Sequence, residues 1–246
     1  MSADAFTLIV SDLHLAPAQP VLTQRFVRFC REIAPTASAL YVLGDLFDFW
    51  IGDDTLDDPL HREVCGALKS VADTGVAVHF MVGNRDFLAD GDFATASGAR
   101  LIDDPTVVDL HGTPTLLMHG DSLCTDDHAY MAFRAQVRNP KVQAQFLSLP
   151  VAVRWQQVGA TRDASEREKQ AKTMDIMDVA PAAVEDVLRA NGYPRLIHGH
   201  THRPAVHEHV VDGHRCERWV IADWRADLAE ALRIDARGVS RLPLPL

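Results

Sequence analysis

Runs of apolar, largely β-branched residues recur along the chain, and five of them stop abruptly at short polar motifs. Phe6–Val10 runs into Asp12-Leu13-His14, Leu40–Leu43 into Gly44-Asp45-Leu46-Phe47-Asp48, and Val76–Val82 into Gly83-Asn84-Arg85-Asp86. Thr115–Met118 runs into His119-Gly120-Asp121, and Arg195–Ile197 into His198-Gly199-His200-Thr201-His202. Short runs of this kind predict buried strands. Between the early ones lie amphipathic stretches, Val21–Ile33 after Pro20 and Pro59–Asp73 before Thr74-Gly75, which predict helices. The resulting β-α-β-α-β alternation predicts a sheet layered with helices. Three hairpins follow: Val107–Leu110 with Thr115–Met118, Ala205–Val211 with Arg215–Ile221, and Glu230–Ile234 with Val239–Leu242, each closed on a glycine turn. They predict a second, more antiparallel sheet. The expected fold class is therefore α/β, a two-sheet β-sandwich flanked by helices.

Nearly eighty residues separate His119 from His198, and the pattern there is mostly helical: Asp127–Val137, Lys141–Leu147, Val151–Val158, Ala164–Met177 and Pro181–Asn191. A connection of this length has its own structure and purpose. The expected organisation is a core of residues 1–122 and 181–246 with an inserted helical cap at 123–180. Within the cap, Phe146 to Trp155 is apolar enough to serve either as packing against the core or as an acyl-binding surface. Arg162, Ser165, Arg167, Lys169 and Lys172 give the cap a polar, cationic side suited to phosphate or to solvent.

Strands of one sheet end at a common edge, so the groups just past the five runs should converge. Singly, Gly-Asp and Gly-Asn are ordinary turn pairs and Asp-x-His is a common cap or turn. Together, Asp12, His14, Asp45, Asn84, His119, His200 and His202 supply two carboxylates, one amide oxygen and four imidazoles, more than one tetrahedral zinc requires. If Asp45 bridges, each of two ions gains four protein ligands. Two ions roughly 3.5–4 Å apart are the usual apparatus for hydrolysing phosphate esters and anhydrides. A mixed O and N set without thiolate suits Mn²⁺, Fe or Zn²⁺.

Composition narrows the partners. A formal net charge of −10 argues against nucleic acid as a main partner. The four cysteines, Cys30, Cys65, Cys124 and Cys216, form no Cys-x-x-Cys pair, so reduced cytosolic thiols are expected rather than a zinc ribbon or disulfide framework. The N-terminal segment lacks the pattern of a signal peptide, and no apolar run reaches the roughly 18–20 residues of a spanning helix. Any membrane contact is expected to be peripheral, and nothing in the sequence designates a protein partner.

The five motifs, from Asp12 to His202, resemble the calcineurin-like metallophosphoesterase superfamily. Many members carry His after the asparagine of the third motif, where this chain has Arg85. A permanently charged guanidinium cannot act as a general acid, but it can clamp phosphoryl oxygens. Gly83-Asn84-Arg85-Asp86, the stretch Gly44 to Trp50, His119 to Asp127, Ile176 to Val179 and His198 to Pro204 are similar to one family within it, the UDP-2,3-diacylglucosamine diphosphatases of lipid A biosynthesis. That resemblance implies hydrolysis of UDP-2,3-diacylglucosamine to UMP and 2,3-diacylglucosamine 1-phosphate, commonly with Mn²⁺, by a peripheral protein on the cytoplasmic face of a Gram-negative inner membrane. It implies one metal on Asp12, His14, Asp45 and His202 and another on Asp45, Asn84, His119 and His200. Asn84, Arg85, Asp127, Ser165, Lys169, Lys172 and His200 match its substrate-contact positions, and Asp45, Asn84, Arg85, His119 and His200 its catalytic ones. Two rival expectations are a nucleotide or cyclic-nucleotide phosphodiesterase on the same metal core and a scaffold that has lost catalysis; the intact set of seven ligand positions argues against the scaffold.

Overall fold

In the computed structural model, which describes residues 5–160 and 178–245, the strands form two stacked sheets. The first contains β1 (Thr7–Val10), β2 (Ala39–Leu43), β3 (Ala77–Met81), β4 (Arg100–Ile102), β10 (Glu230–Asp235) and β11 (Gly238–Pro243), in the order β11-β10-β1-β2-β3-β4. β1 to β4 pair in parallel, with Thr7 opposite Ala39 and Ala39 opposite Ala77, and β10 adds antiparallel to β1. The second contains β5 (Thr106–Leu110), β6 (Thr113–Met118), β7 (Arg195–His198), β8 (Ala205–Val211) and β9 (His214–Val220), ordered β5-β6-β7-β9-β8. β6, β7 and β9 are parallel, with antiparallel strands at both edges.

Alternation along the central strands builds the layers. Leu8 and Val10 of β1, Leu40 and Val42 of β2 and Val78 and Phe80 of β3 turn to one side. There they meet Phe26 and Phe29 of α1 (Pro20–Glu32), Val64 and Leu68 of α2 (Pro59–Asp73) and Phe93 of α3 (Gly91–Ser97). The intervening Ile9, Tyr41, Leu43 and Met81 face Leu110, Leu117 and Ile197 of the second sheet. The outer face of that sheet, with Leu116, Met118 and Leu196, is covered by Val184 and Leu188 of α7 (Pro181–Ala190). The order is helices, sheet, sheet, helix, and the two-sheet expectation holds.

Two details differ from the sequence reading. The Glu230–Asp235 and Gly238–Pro243 hairpin joins the first sheet, not the second, because Leu232 and Ile234 complete the inter-sheet core beside Ile9. A short α3 and a three-residue β4 lie in the stretch after Asp90, which carried no assignment. By contrast α2 starts and stops where its punctuation places it: Asp58 caps Leu60 N at 2.9 Å, Pro59 is the first helical residue, and Gly75 follows at φ 94°.

The stretch expected to form an inserted cap, 123–180, contributes α4 (His128–Val137), α5 (Pro140–Leu147) and helical residues 151–160, here α6. Neither α4 nor α5 buries any residue. Leu123, Cys124 and Val179, at its two ends, pack in the cluster under α7, and Ala180 N donates to Leu123 O at 2.9 Å. The expected helix at Ala164–Met177 lies outside the described residues.

Loops at the strand ends approach one another closely. Gly44 sits at φ +83°, and a Cβ there would overlap Gly83 Cα and lie 2.8 Å from His119 Nδ1. Gly44→Ala is expected to destabilise the protein by roughly 2–4 kcal/mol, the cost of a left-handed alanine plus overpacking. Gly66, exposed within α2 with nothing within 4 Å of its would-be Cβ, should respond in the opposite sense to Gly66→Ala, by about 0.5–1 kcal/mol. Urea unfolding of the two variants against the parent checks both signs.

Candidate metal centre

Asp12, Asp45, Asn84, His119, His200 and His202 all follow strand ends, and parallel pairing carries on past the strands to align them. Asp12 N donates to Gly44 O at 3.1 Å, His14 N to Asp45 O at 2.9 Å and Leu15 N to Leu46 O at 2.9 Å. Gly199 N donates to His119 O at 2.8 Å, which joins the fourth and fifth loops in the same way. The chain turns sharply at these points: Asp12, His14, Asp45, His200 and His202 all have positive φ, between 49° and 65°. Asp and His tolerate this region better than most side chains, yet each such residue costs about 1–3 kcal/mol unless its surroundings enforce it. Five strained residues gathered where strand ends of both sheets meet mark a site rather than a set of ordinary turns.

All seven expected ligands come together. His14 Nε2 lies 3.1 Å from His202 Nε2 and 4.0 Å from Asp12 Oδ1, and His202 Nε2 lies 3.4 Å from the same oxygen. On the other side, Asn84 Oδ1 is 2.9 Å from His119 Nε2 and 2.8 Å from His200 Nδ1, while Asp45 Oδ1 is 3.7 Å from His119 Nε2. Asp45 stands between the groups, its Oδ2 3.8 Å from His14 Nδ1. Donor atoms about 2.1 Å from one tetrahedral ion are roughly 3.4 Å apart, so these spacings fit donors converging on shared cations.

Hydrogen-bond accounting points the same way. Asp12 Oδ1 and His14 Nδ1 are buried and have no hydrogen-bond partner among the described residues. His119 Nδ1 faces Leu43 O at 2.8 Å, and a carbonyl can only accept, so this nitrogen carries the proton. In the neutral ring Nε2 then bears a lone pair directed at the Asn84 oxygen, a repulsive pairing unless positive charge lies between them. The cluster attracts such charge: although burial opposes it, Asp45, Asp12 and Asp121 lift His119 to about 9. Burial pushes the Asp45 carboxyl upward, with Asp86 and Asp12 adding to the rise. Burial also pushes His14 and His200 down to about 3, leaving both imidazoles neutral and able to donate electron pairs. The donor set fits divalent cations.

Of the other expected residues, Arg85 lies at this edge. Its backbone N donates to Asp45 Oδ1 at 2.8 Å, its Nη1 to Asp48 Oδ1 at 3.0 Å, and its Nε is 3.9 Å from Asp45 Oδ2. Asp127 forms the N-cap of α4, accepting from Tyr130 N at 3.0 Å. Ser165, Lys169 and Lys172 lie outside the described residues. The apolar segment divides: Phe146 packs on the helix-side core, whereas Leu147 and Trp155 are each 40% exposed.

Several supporting residues had no role in the sequence reading. Asp86 is fully buried and accepts from Gly83 N at 2.7 Å and Leu46 N at 2.8 Å, locking the second and third loops together. Asp121 accepts from Tyr130 Oη at 2.8 Å and Arg134 Nε at 2.8 Å, tying α4 to the loop after His119; Tyr130's ring is 5.8 Å from that of His200. Arg138 Nη2 donates to Gly83 O at 2.8 Å, just before Asn84. Asp223 Oδ2 lies 3.6 Å from His202 Nδ1. Asp86 and Asp121 were visible as members of the motifs; Arg134, Arg138 and Asp223 left no local signal.

The family model for calcineurin-like phosphoesterases matches residues 7–204, from β1 to just beyond His202. A protein of Xanthomonas axonopodis pv. citri named UDP-2,3-diacylglucosamine hydrolase is 51% identical over 247 residues, covering 98% of this chain and 99% of its own. Proteins of the same name from Aromatoleum aromaticum and Stenotrophomonas maltophilia (strain K279a) are 51% and 49% identical, covering 94% and 95% of this chain and 94% and 96% of theirs. With the matched span containing all seven converging residues, this chain belongs to the calcineurin-like phosphoesterase family.

Proposed function

We propose that this chain is a metal-dependent UDP-2,3-diacylglucosamine hydrolase that yields UMP and 2,3-diacylglucosamine 1-phosphate. The observation that carries the reading is the extent of the likeness: half-identical relatives of that name align over 98% of the chain, through the helical insertion as well as the metal edge. The assignment proposed for the edge is Asp12, His14, Asp45 and His202 around one ion and Asp45, Asn84, His119 and His200 around a second, with Mn²⁺ as the physiological metal. When bound, two such ions supply Lewis acidity and lower the proton affinity of water between them.

The protein's own groups have definite tasks in this scheme. The proton on His119 Nδ1 stays with Leu43 O, which keeps Nε2 free as a donor atom. Asp86 holds the Asp45 and Asn84 loops at fixed separation, and Asp48 holds the Arg85 guanidinium beside Asp45. Arg85 then offsets charge growing on the phosphoryl oxygens during in-line attack at the phosphorus bearing uridine. The leaving sugar phosphate is weakly basic and needs little protonation, so a guanidinium suffices where a general acid is absent. Asp127, Ser165, Lys169 and Lys172 are proposed as further substrate contacts.

The insertion at 123–180 is proposed as a cap that receives the acyl chains, a task consistent with the exposure of Leu147 and Trp155. Each methylene withdrawn from water there contributes about 0.8 kcal/mol, enough for a few carbons to dominate selection against unacylated sugars. No helix among the described residues is long and apolar enough to cross a membrane, and peripheral contact with the cytoplasmic face of the inner membrane is the proposed route to a lipid substrate.

Turnover of UDP-2,3-diacylglucosamine, UDP-glucose and a cyclic nucleotide, measured side by side, tests the substrate. The diacyl compound should be strongly preferred; preference for either small compound overturns the reading. Asp45→Ala is expected to reduce kcat at least about 100-fold because it loosens both ions. Chelator should abolish parental activity and Mn²⁺ restore it, and full activity in metal-stripped protein contradicts the scheme. Arg85→Lys keeps the charge but loses the fork, so kcat/KM should fall about tenfold or more. Parental kcat/KM in that variant removes Arg85 from the transition state.

A further inference from the structure

Arg154 is the exception in a helix that otherwise lies on the surface. On α6, where Trp155, Gln156 and Gln157 are exposed, Arg154 is 1% exposed and among the largest fully buried side chains of the protein. Its Nη1 donates to Ile51 O and its Nη2 to Asp54 Oδ2, so the guanidinium enters the loop between the second motif and α2. Its Nε is buried with no acceptor among the described residues. A buried arginine left partly unsatisfied is a poor device for stability alone, since an apolar side chain of similar shape holds a seam at lower desolvation cost.

The loop it enters is built to receive it. Gly52 has φ +132°, and a Cβ there would lie 2.5 Å from Arg154 Nη1 and 2.7 Å from Leu147 Cδ2, so the absence of a side chain admits both insertion residues. The loop is also tied inward: Thr55 N and Oγ1 donate to Gly52 O at 3.1 and 2.7 Å, and Trp50 N donates to Arg85 O at 3.0 Å. A continuous chain of bonded groups runs from α6 through Ile51 and Trp50 to the backbone of Arg85. Beside it, a cavity of about 570 Å³ opens between α5 and the core, lined by Leu147 and Gln143 on one side and by Phe87, Leu88 and Asp53 on the other.

We propose that Arg154 is a positioning residue: it latches the helical stretch to the loop at 50–54 and so fixes the width of this cavity for a substrate large enough to touch both sides. The inference rests on the proposed diacyl substrate for its catalytic consequence, though not for the latch itself. A small phosphodiester reaches only the metal edge and does not depend on the latch.

Three variants test it: Arg154→Met, which keeps length without charge; Arg154→Lys, which can reach one acceptor; and Asp54→Asn, on a half-exposed side chain whose change does not threaten folding. Arg154→Met should raise KM for UDP-2,3-diacylglucosamine about tenfold, with kcat on bis(p-nitrophenyl) phosphate within about twofold of the parent, the signature of lost binding rather than lost chemistry. Arg154→Lys and Asp54→Asn should fall between. In the free, metal-loaded protein, hydrogen exchange should accelerate at Trp50 and Thr55 and across α5 in Arg154→Met. Parental KM and parental exchange in both Arg154→Met and Asp54→Asn overturn the proposal, as does an equal loss on the two substrates. If the parent does not turn over the diacyl compound, the proposed function fails, and the exchange rates alone decide the latch.

Discussion

Two carboxylates, Asp12 and Asp45, stand buried at the ends of adjacent parallel strands, and the rest of the site is arranged around that fact. Isolated buried carboxylates are costly enough that a protein either neutralises them or supplies positive charge. Here the neighbours include one buried imidazole drawn toward protonation and two others held neutral, an arrangement that has more use for divalent cations than for protons. The strain of five left-handed residues is held in place by the two sheets below them, whose central strands are buried.

Rigidity at this edge comes from interactions that never touch a metal. Asp86 bridges two loops through backbone amides, Leu43 O orients His119, and Trp224 N donates to Asp12 O at 3.0 Å from the far end of the chain. The helices between residues 128 and 160 are joined to the same loops at separate points: Tyr130, Arg134 and Arg138 reach Asp121 and Gly83, and Arg154 reaches Ile51 and Asp54. α4, which buries no residue, is thus held by charged and hydrogen-bonded groups, while α5 adds the packing of Phe146 on the helix-side core. Such attachments allow an insertion to vary its exposed apolar surface without disturbing the metal edge.

The strands and the meeting of the residues that follow them were legible because both leave local marks. A β-branched run followed by Gly-Asp, Gly-Asn or His-Gly states where a strand ends and which donor follows, and all seven candidate ligands meet as that pattern implied. Pro59 and Gly75 gave the limits of α2 for the same reason. The sheet membership of the last hairpin was not legible: its alternation fixes the pairing of β10 with β11 but says nothing of β1, which lies at the opposite end of the chain. Seven-residue α3 and three-residue β4 are too short for a period to emerge. Nor could Arg154 be distinguished within an apolar stretch, because its burial depends on a loop a hundred residues earlier.

The central claim is that the edge holds two cations with Asp45 between them. Anomalous diffraction from crystals of the protein loaded with Mn²⁺ tests it most directly. The account predicts two peaks roughly 3.5–4 Å apart, one among Asp12, His14 and His202 and the other among Asn84, His119 and His200, with Asp45 reaching both. A single peak, or two peaks that Asp45 does not bridge, would contradict it.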